Sequence, residues 1–219
     1  MKRLFLDTEV FTGNPDADLR NVGHAKNARD PLTQVMLVAY AIDKEPTQLW
    51  DITQTPVMPD DLKQALDNPD VSVIIHNAPY DLAQLEFSMP TPVIIDKSRV
   101  IDTSVLARMN GYPAALGDLG SALGLDEDEA KDKDGKRLIQ KFCKPRRASK
   151  HNPSKRWTCE NAPEDWDKFG RYALRDVEAM RSIFFLLVDI RRFNNEDQLW
   201  VIDQNINERG IPIDVDTIQ

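Results

Sequence analysis

Short, nearly continuous apolar runs occupy residues 4–6, 35–41 and 71–75, the pattern of strands covered on both faces. With their flanks they predict five strands, at residues 3–7, 34–42, 47–51, 71–76 and 99–102. The first three are joined by segments without a clear helical rhythm, which predicts a meander. Helical patterns then alternate with strands, the sign of parallel crossovers. The expected class is α/β, with a mixed five-stranded sheet flanked by helices.

Helices are predicted at residues 60–67, 80–87, 103–109, 116–123 and 135–142, and the longest from 163 to 192. Residues 13–31 and 144–163 are polar and read as irregular insertions, the kind of segment that often carries function. Leu199, Ile202 and Ile206 form a late helical stripe that stops at Gly210, before an extended Ile211-Pro212-Ile213-Asp214. A cut made ahead of a following domain is the expected reading of that ending.

Composition narrows the classes. No run of about 18 apolar residues exists, so no helix is expected to span a membrane. Acid at Asp7 comes too early for a signal peptide, and cytoplasmic residence is expected. Cys143 and Cys159 make no CxxC pair, and with His151 they match no common zinc spacing. Two free thiols are expected. The net charge of −8 lacks the high pI of a typical nucleic-acid binder. Yet Lys136, Arg137, Lys141, Lys144, Arg146, Arg147, Lys150, Lys155 and Arg156 follow one another without an intervening acid. A solvated loop and a phosphate-binding segment both fit that run.

The acids carry the sharper chemistry. Asp7 and Glu9 stand two apart at the end of the first strand, so both project from one face. Two adjacent carboxylates repel unless a cation lies between them, although for the pair in isolation a solvated strand end is the better explanation. Asp81 follows the fourth strand within Asn77-Ala78-Pro79-Tyr80-Asp81. There Asn77 and Asp81 are expected to cap a helix whose first turn holds Pro79. Asp176 falls near the centre of a stripe made by Trp166, Phe169, Ala173, Val177, Met180, Ile183, Phe184 and Leu187. A core-facing acid needs a partner; Tyr172 lies one turn earlier, and a buried salt bridge to an arginine is the alternative. Together these four acids form an all-oxygen set suited to Mg²⁺ or Mn²⁺, and several acids can hold two ions. Asp102 before Thr103 reads as a helix cap, and His76 as a supporting group rather than a ligand.

Phe5-Leu6-Asp7-Thr8-Glu9, then Asn77-x-x-x-Asp81, then Tyr172-x-x-x-Asp176, resembles in order the three motifs of the DEDD 3′-5′ exonucleases. The spacing of Tyr172, with Arg171 where another subtype carries histidine, resembles the tyrosine subtype. The resemblance spans roughly residues 2–192 and implies an RNase H-like fold and two-metal hydrolysis. It implies that Asp7, Glu9 and Asp176 hold one ion, that Asp7 and Asp81 hold or orient a second, and that Tyr172 aligns the attacking water. Thr8, Asn77, Phe11, Lys144, Arg146 and Arg147 are the expected substrate contacts. Residues 193–219 are similar to the junction where phage family-A DNA polymerases leave their exonuclease. This implies a proofreading domain acting on a single-stranded DNA 3′ end, joined to an absent polymerase domain, in host cytoplasm if phage-encoded. RNase D-like RNA trimming and a catalytically silent DNA-positioning module are the competing readings.

Overall fold

The structure is a computed structural model and describes residues 2–125, 134–148, 154–188, 195–214 and 217. Five strands form one sheet: β1 (Arg3–Thr12), β2 (Thr33–Ile42), β3 (Gln48–Asp51), β4 (Ser72–Ile75) and β5 (Val100–Asp102), in the order β3-β2-β1-β4-β5. β1 to β3 form the expected antiparallel meander, while β4 and β5 add in parallel on the other side of β1. The helices are α1 (Leu19–Ala28), α2 (Asp60–Asp67), α3 (Ala78–Phe87), α4 (Thr103–Met109), α5 (Leu116–Ala122), α6 (Gly135–Phe142), α7 (Pro163–Leu187) and α8 (Glu196–Arg209).

Strand parity divides the core. Leu4, Leu6 and Val10 point to the face covered by α2 and α3, joining Leu62, Ala65 and Leu85. Phe5 points to the opposite face, where α7 lays Ala173, Val177, Met180, Ile183 and Phe184 against the sheet. Further along that face, Phe11 and Leu37 meet α6 and the start of α7 through Leu138, Phe142, Trp166 and Phe169. Phe142 stacks on Phe169 at 5.2 Å between centroids and meets Trp166 edge-on at 4.9 Å, which docks α6 onto α7. The stripe expected on α7 is therefore its buried face.

Three expectations change, and a fourth falls outside the described residues. The first strand does not stop at residue 7: Val10, Phe11 and Thr12 continue pairing with Val35, Gln34 and Thr33. Glu9 pairs with Leu37 and Val10 with Val35, leaving Met36 as an extra residue, a bulge placed beside the acids. Secondly, the polar stretch after β1 is not wholly irregular, because it holds α1, broken at Gly23 (φ 75°). Thirdly, Asn77 does not cap α3 with its side chain; it sits in the left-handed region (φ 63°) with that side chain exposed. The carboxylate of Asp102 takes the capping role instead, accepting the amides of Asn77 (3.0 Å) and Ala78 (2.9 Å). It also caps α4 through the amide of Ser104 at 2.8 Å. Parallel pairing sets Asp102 level with Ile75, the last residue of β4, so one acid reaches both helix starts. Finally, α7 is described only to Val188, and the expected helix end at residue 192 lies outside the described residues, as do Lys150 and His151.

The late helix forms as expected, ending at Gly210 with φ 65°. Among the described residues no helix is long and apolar enough to cross a membrane.

Asp102→Ala removes a buried carboxylate from three amides. It is expected to lower the unfolding free energy by about 2–4 kcal/mol, as summed cap losses suggest. Urea denaturation measures this, and a loss below about 1 kcal/mol would contradict the double cap.

Candidate active site

Asp7 and Glu9 lie in the middle of β1, on the α7 side. Asp176 descends onto them from the helix that packs there. One carboxylate oxygen from each of Asp7, Glu9 and Asp176 lies within 4.8 Å of the others. Asp81, in the first turn of α3, comes from across the strand and is 2% exposed. Its Oδ1 accepts the amide of Thr8 at 3.0 Å and the Thr8 hydroxyl at 2.5 Å. Thr8, the residue between the two strand acids, thus pins the fourth acid to them.

Such a cluster is electrostatically unfavourable, and three of its members hold their protons above the ordinary carboxylate range. Burial, then the charges of Asp81, Glu9 and Asp176, pushes the Asp7 carboxyl well above the ordinary range. Burial, Asp176 and Asp81 do the same to Glu9. Burial raises Asp81 to about 7 despite the two hydrogen bonds from Thr8. The donors are hard oxygens concentrated in a small volume, so the set fits divalent cations such as Mg²⁺ or Mn²⁺.

Tyr172 stands one turn before Asp176, and its hydroxyl hydrogen-bonds that carboxylate. Burial and the neighbouring Asp176 and Glu9 raise its pKa, so the phenol stays protonated and can donate. Gly135 opens α6 directly against this ring: a Cβ there would lie 2.5 Å from Cε2 of Tyr172. The Cys143 thiol, at the end of α6, faces Oε2 of Glu9 at 3.8 Å. Its carbonyl accepts the amide of Thr12 at 2.9 Å, tying α6 to β1 just beyond Glu9. Tyr80 is raised by burial and then by Asp81, Cys143, Glu9 and Asp7, which sets its phenol beside the acids. The sequence reading did not single out Gly135, Cys143 or Tyr80 for the site. A glycine opening a helix and a lone cysteine carry no local signal of what they face.

The expected substrate contacts separate. The exposed Asn77 side chain stands at the start of α3, close to Asp81. Thr8 is buried and engaged by Asp81. Phe11 is 8% exposed, with the Arg156 guanidinium 4.5 Å above its ring. Lys144 pairs with Asp18 at 2.6 Å, Arg146 stacks over Trp157 at 4.5 Å, and Arg147 is exposed. Arg137 and Lys141 both pair with Asp165. Part of the basic run is therefore matched inside the fold. His76 supports from behind: its ring nitrogens meet the Thr103 hydroxyl and the Ala114 carbonyl, each at 2.8 Å, and burial lowers its pKa.

The raised carboxylates have a measurable consequence. Asp7, Glu9 and Asp81 hold protons more tightly when folded, so their contribution is fully present below the ordinary carboxylate range. It is lost as pH rises through the folded values, which for Asp81 means about 7. In chelator, Tm is expected to fall between about pH 5 and about pH 8, and added Mg²⁺ should raise Tm more at the higher pH. His76 acts with the opposite sign, so the comparison is made against Asp7→Asn, whose Tm should depend less on pH. An equal dependence in both proteins would contradict the coupling among these acids.

A 3′-5′ exonuclease family model matches residues 6–190. The chain is 32% identical over its full length to a DNA polymerase of Bacillus phage SP02, of which it spans about a third (33%). Among solved structures, Brucella melitensis NrnC with bound Mg²⁺ superposes with a TM-score of 0.52 at 11% identity, covering 92% of this chain and 81% of that one. A nuclease in its apo form superposes equally well, with a TM-score of 0.52 at 13% identity, covering 95% and 85%. These two likenesses are of fold. The family match runs through β1, α3 and α7, the elements that bring the four acids together, and the chain belongs to the 3′-5′ exonuclease family.

Proposed function

We propose that this chain removes nucleotides one at a time from the 3′ end of a single DNA strand by metal-dependent hydrolysis. The observation that carries the reading is the meeting of Asp7, Glu9, Asp81 and Asp176, where burial together with neighbouring carboxylates holds Asp7 and Glu9 well above the ordinary range and burial raises Asp81 to about 7. Asp7, Glu9 and Asp176 would hold one divalent cation, and Asp7 with Asp81 a second. Bound there, the cations would supply the positive charge that favours water deprotonation and stabilises the departing 3′ oxygen.

The chain's own groups then do the following. Tyr172, hydrogen-bonded to Asp176 and backed by Gly135, aligns the attacking water through its hydroxyl oxygen. Thr8 fixes Asp81. Asn77, exposed at the start of α3, contacts the terminal nucleotide. The relationship to a phage DNA polymerase supports DNA over RNA as substrate, and a proofreading role within a longer protein. Residues 193–219 would form the junction to a polymerase domain. The exposed Leu199, Ile202 and Ile206 of α8 support that assignment, since a half-covered apolar stripe is suited to further packing.

A 5′-labelled single-stranded DNA oligonucleotide tests the reading. With Mg²⁺ it should shorten stepwise from its 3′ end; with EDTA, or with Asp7→Ala, it should stay intact. Shortening in EDTA would overturn the metal mechanism, and an uncut strand that still binds would favour a silent positioning module. Preferential shortening of an RNA oligomer would overturn the DNA assignment.

Tyr172→Phe removes an orienting bond but no ligand, and should slow hydrolysis by about ten- to a hundredfold. Gly135→Ala, which drives a methyl group into the Tyr172 ring, should slow it comparably at unchanged metal affinity. Single-turnover rates and metal titrations separate the two effects, and an unaffected rate in Gly135→Ala would show that the ring position is immaterial.

A further inference from the structure

Two guanidinium groups flank a cleft of about 470 Å³ that Asp7, Glu9, Asp81 and Asp176 do not line. Its walls include Phe11 and Arg156 on one side, Arg29 and Phe87 on the other, with Gln34 and Ser88 between them. Two elements lead to it from the acids. Along β1, Phe11 lies two residues beyond Glu9, about 7 Å further at the ordinary strand rise. Along α3, Phe87 lies six residues beyond Asp81, about 9 Å further at the helical rise. A strand of a few nucleotides whose end lies among the acids can therefore reach the cleft.

Both cations are held in place without a counter-charge. Arg156 lies 4.5 Å over the Phe11 ring and donates from Nη1 to Oε1 of Gln34 at 2.8 Å. Its Nε is buried and has no hydrogen-bond partner, a state that costs free energy unless a ligand accepts from it. Arg29 lies 4.0 Å over the Phe87 ring and donates from Nη1 to the Ala25 carbonyl at 3.1 Å. Among the described residues neither guanidinium has a carboxylate within 4.0 Å. Asp30 lines the same cleft, but its two oxygens accept from Asn14 and from the amide of Leu32.

The frame behind the cleft is rigid. Gln84 donates to Asn27 at 2.8 Å, the Ser88 hydroxyl shares its one proton between Oε1 of Gln84 (2.7 Å) and the Ala28 carbonyl (2.9 Å), and all three side chains are buried. This network locks the last turn of α1, which Arg29 directly follows, to the last turn of α3, which carries Phe87. Two guanidinium groups held on aromatic supports, with donors to spare, match the planar donor geometry that recognises phosphate.

We propose that Arg29 and Arg156 bind a phosphodiester of the DNA strand upstream of the bond being cut, so that the cleft makes hydrolysis depend on strand length. The inference rests on the exonuclease reading, and its chemistry is that of a phosphate ester supplied by the strand rather than by a free mononucleotide.

The test uses the full chain and Arg29→Met and Arg156→Met, which keep an unbranched apolar stem over each ring and remove the charge. Two substrates are compared with Mg²⁺: a ten-nucleotide thymidine strand and the p-nitrophenyl ester of thymidine 5′-monophosphate, which has no upstream nucleotide. For each variant, kcat/KM on the strand relative to the ester should fall about tenfold, mainly through KM, as for the loss of one charge-assisted hydrogen bond. The salt dependence of strand binding, followed by anisotropy in EDTA, should flatten by about 0.7 in log–log slope. Equal losses on both substrates, at unchanged Tm, would assign these arginines to packing and overturn the proposal. So would unchanged strand binding, or weakened inhibition by thymidine 5′-monophosphate with strand turnover intact. If the unsubstituted chain cuts neither substrate, the exonuclease reading falls by itself. The anisotropy arm still decides the cleft: weaker strand binding in the variants supports it and unaltered binding overturns it.

Discussion

Everything around the site is organised by the mutual repulsion of four carboxylates that the fold forces together. Left alone, Asp7, Glu9, Asp81 and Asp176 would separate or keep their protons; burial raises three of them, and for Asp7 and Glu9 the neighbouring carboxylates add to it. The sheet prevents separation because Asp7 and Glu9 pair with Ala39 and Leu37 of β2, on a strand whose first residues β4 flanks from the other side. The core packing of α7 prevents it for Asp176, since Ala173, Val177 and Met180 fix that helix on the sheet. For Asp81 the restraint is local, through Thr8. The apolar core thus holds an electrostatically poor arrangement that a divalent cation makes favourable, so folding and metal binding are thermodynamically linked.

The support reaches beyond the acids. Asp102 joins the starts of α3 and α4, so the helix that presents Asp81 cannot shift independently of its neighbour. The left-handed Asn77 lets the chain turn from β4 into α3 while its side chain stays outward. On the opposite side of the sheet, α6 closes over the site through Gly135 and Cys143, contacting Tyr172 and Glu9 from one short helix.

Much of this was legible in the sequence because the signals were local. The two-residue spacing of Asp7 and Glu9, and the position of Asp176 within an apolar stripe, translate directly into facing. The meander and the mixed sheet followed from where helical periodicity was absent and where it began. What stayed hidden depended on distant partners. Val10 to Thr12 read as the exit from a strand, since their pairing with residues 33–35 across a bulge has no local signature. α1 was unreadable because Gly23 breaks it and its sequence is polar. Asn77 looked like a cap until the parallel register of β4 and β5 set Asp102 beside the same amides. The basic run looked uncompensated because Asp18 and Asp165 lie far from Lys144, Arg137 and Lys141 in the chain.

The missing side chain at Gly135 ties Tyr172 to the docking of a peripheral helix. The first turn of α6 rests on the phenol ring, and the helix itself is held mainly by Leu138 and Phe142. Short helices of this kind open at lower free energy than the sheet beneath them. A partial opening of α6 would release the ring while leaving the carboxylates assembled. With Tyr172 in its proposed role, warming would uncouple catalysis from folding, with activity fading below the global melting transition while amide exchange in α6 accelerates and that of β1 does not.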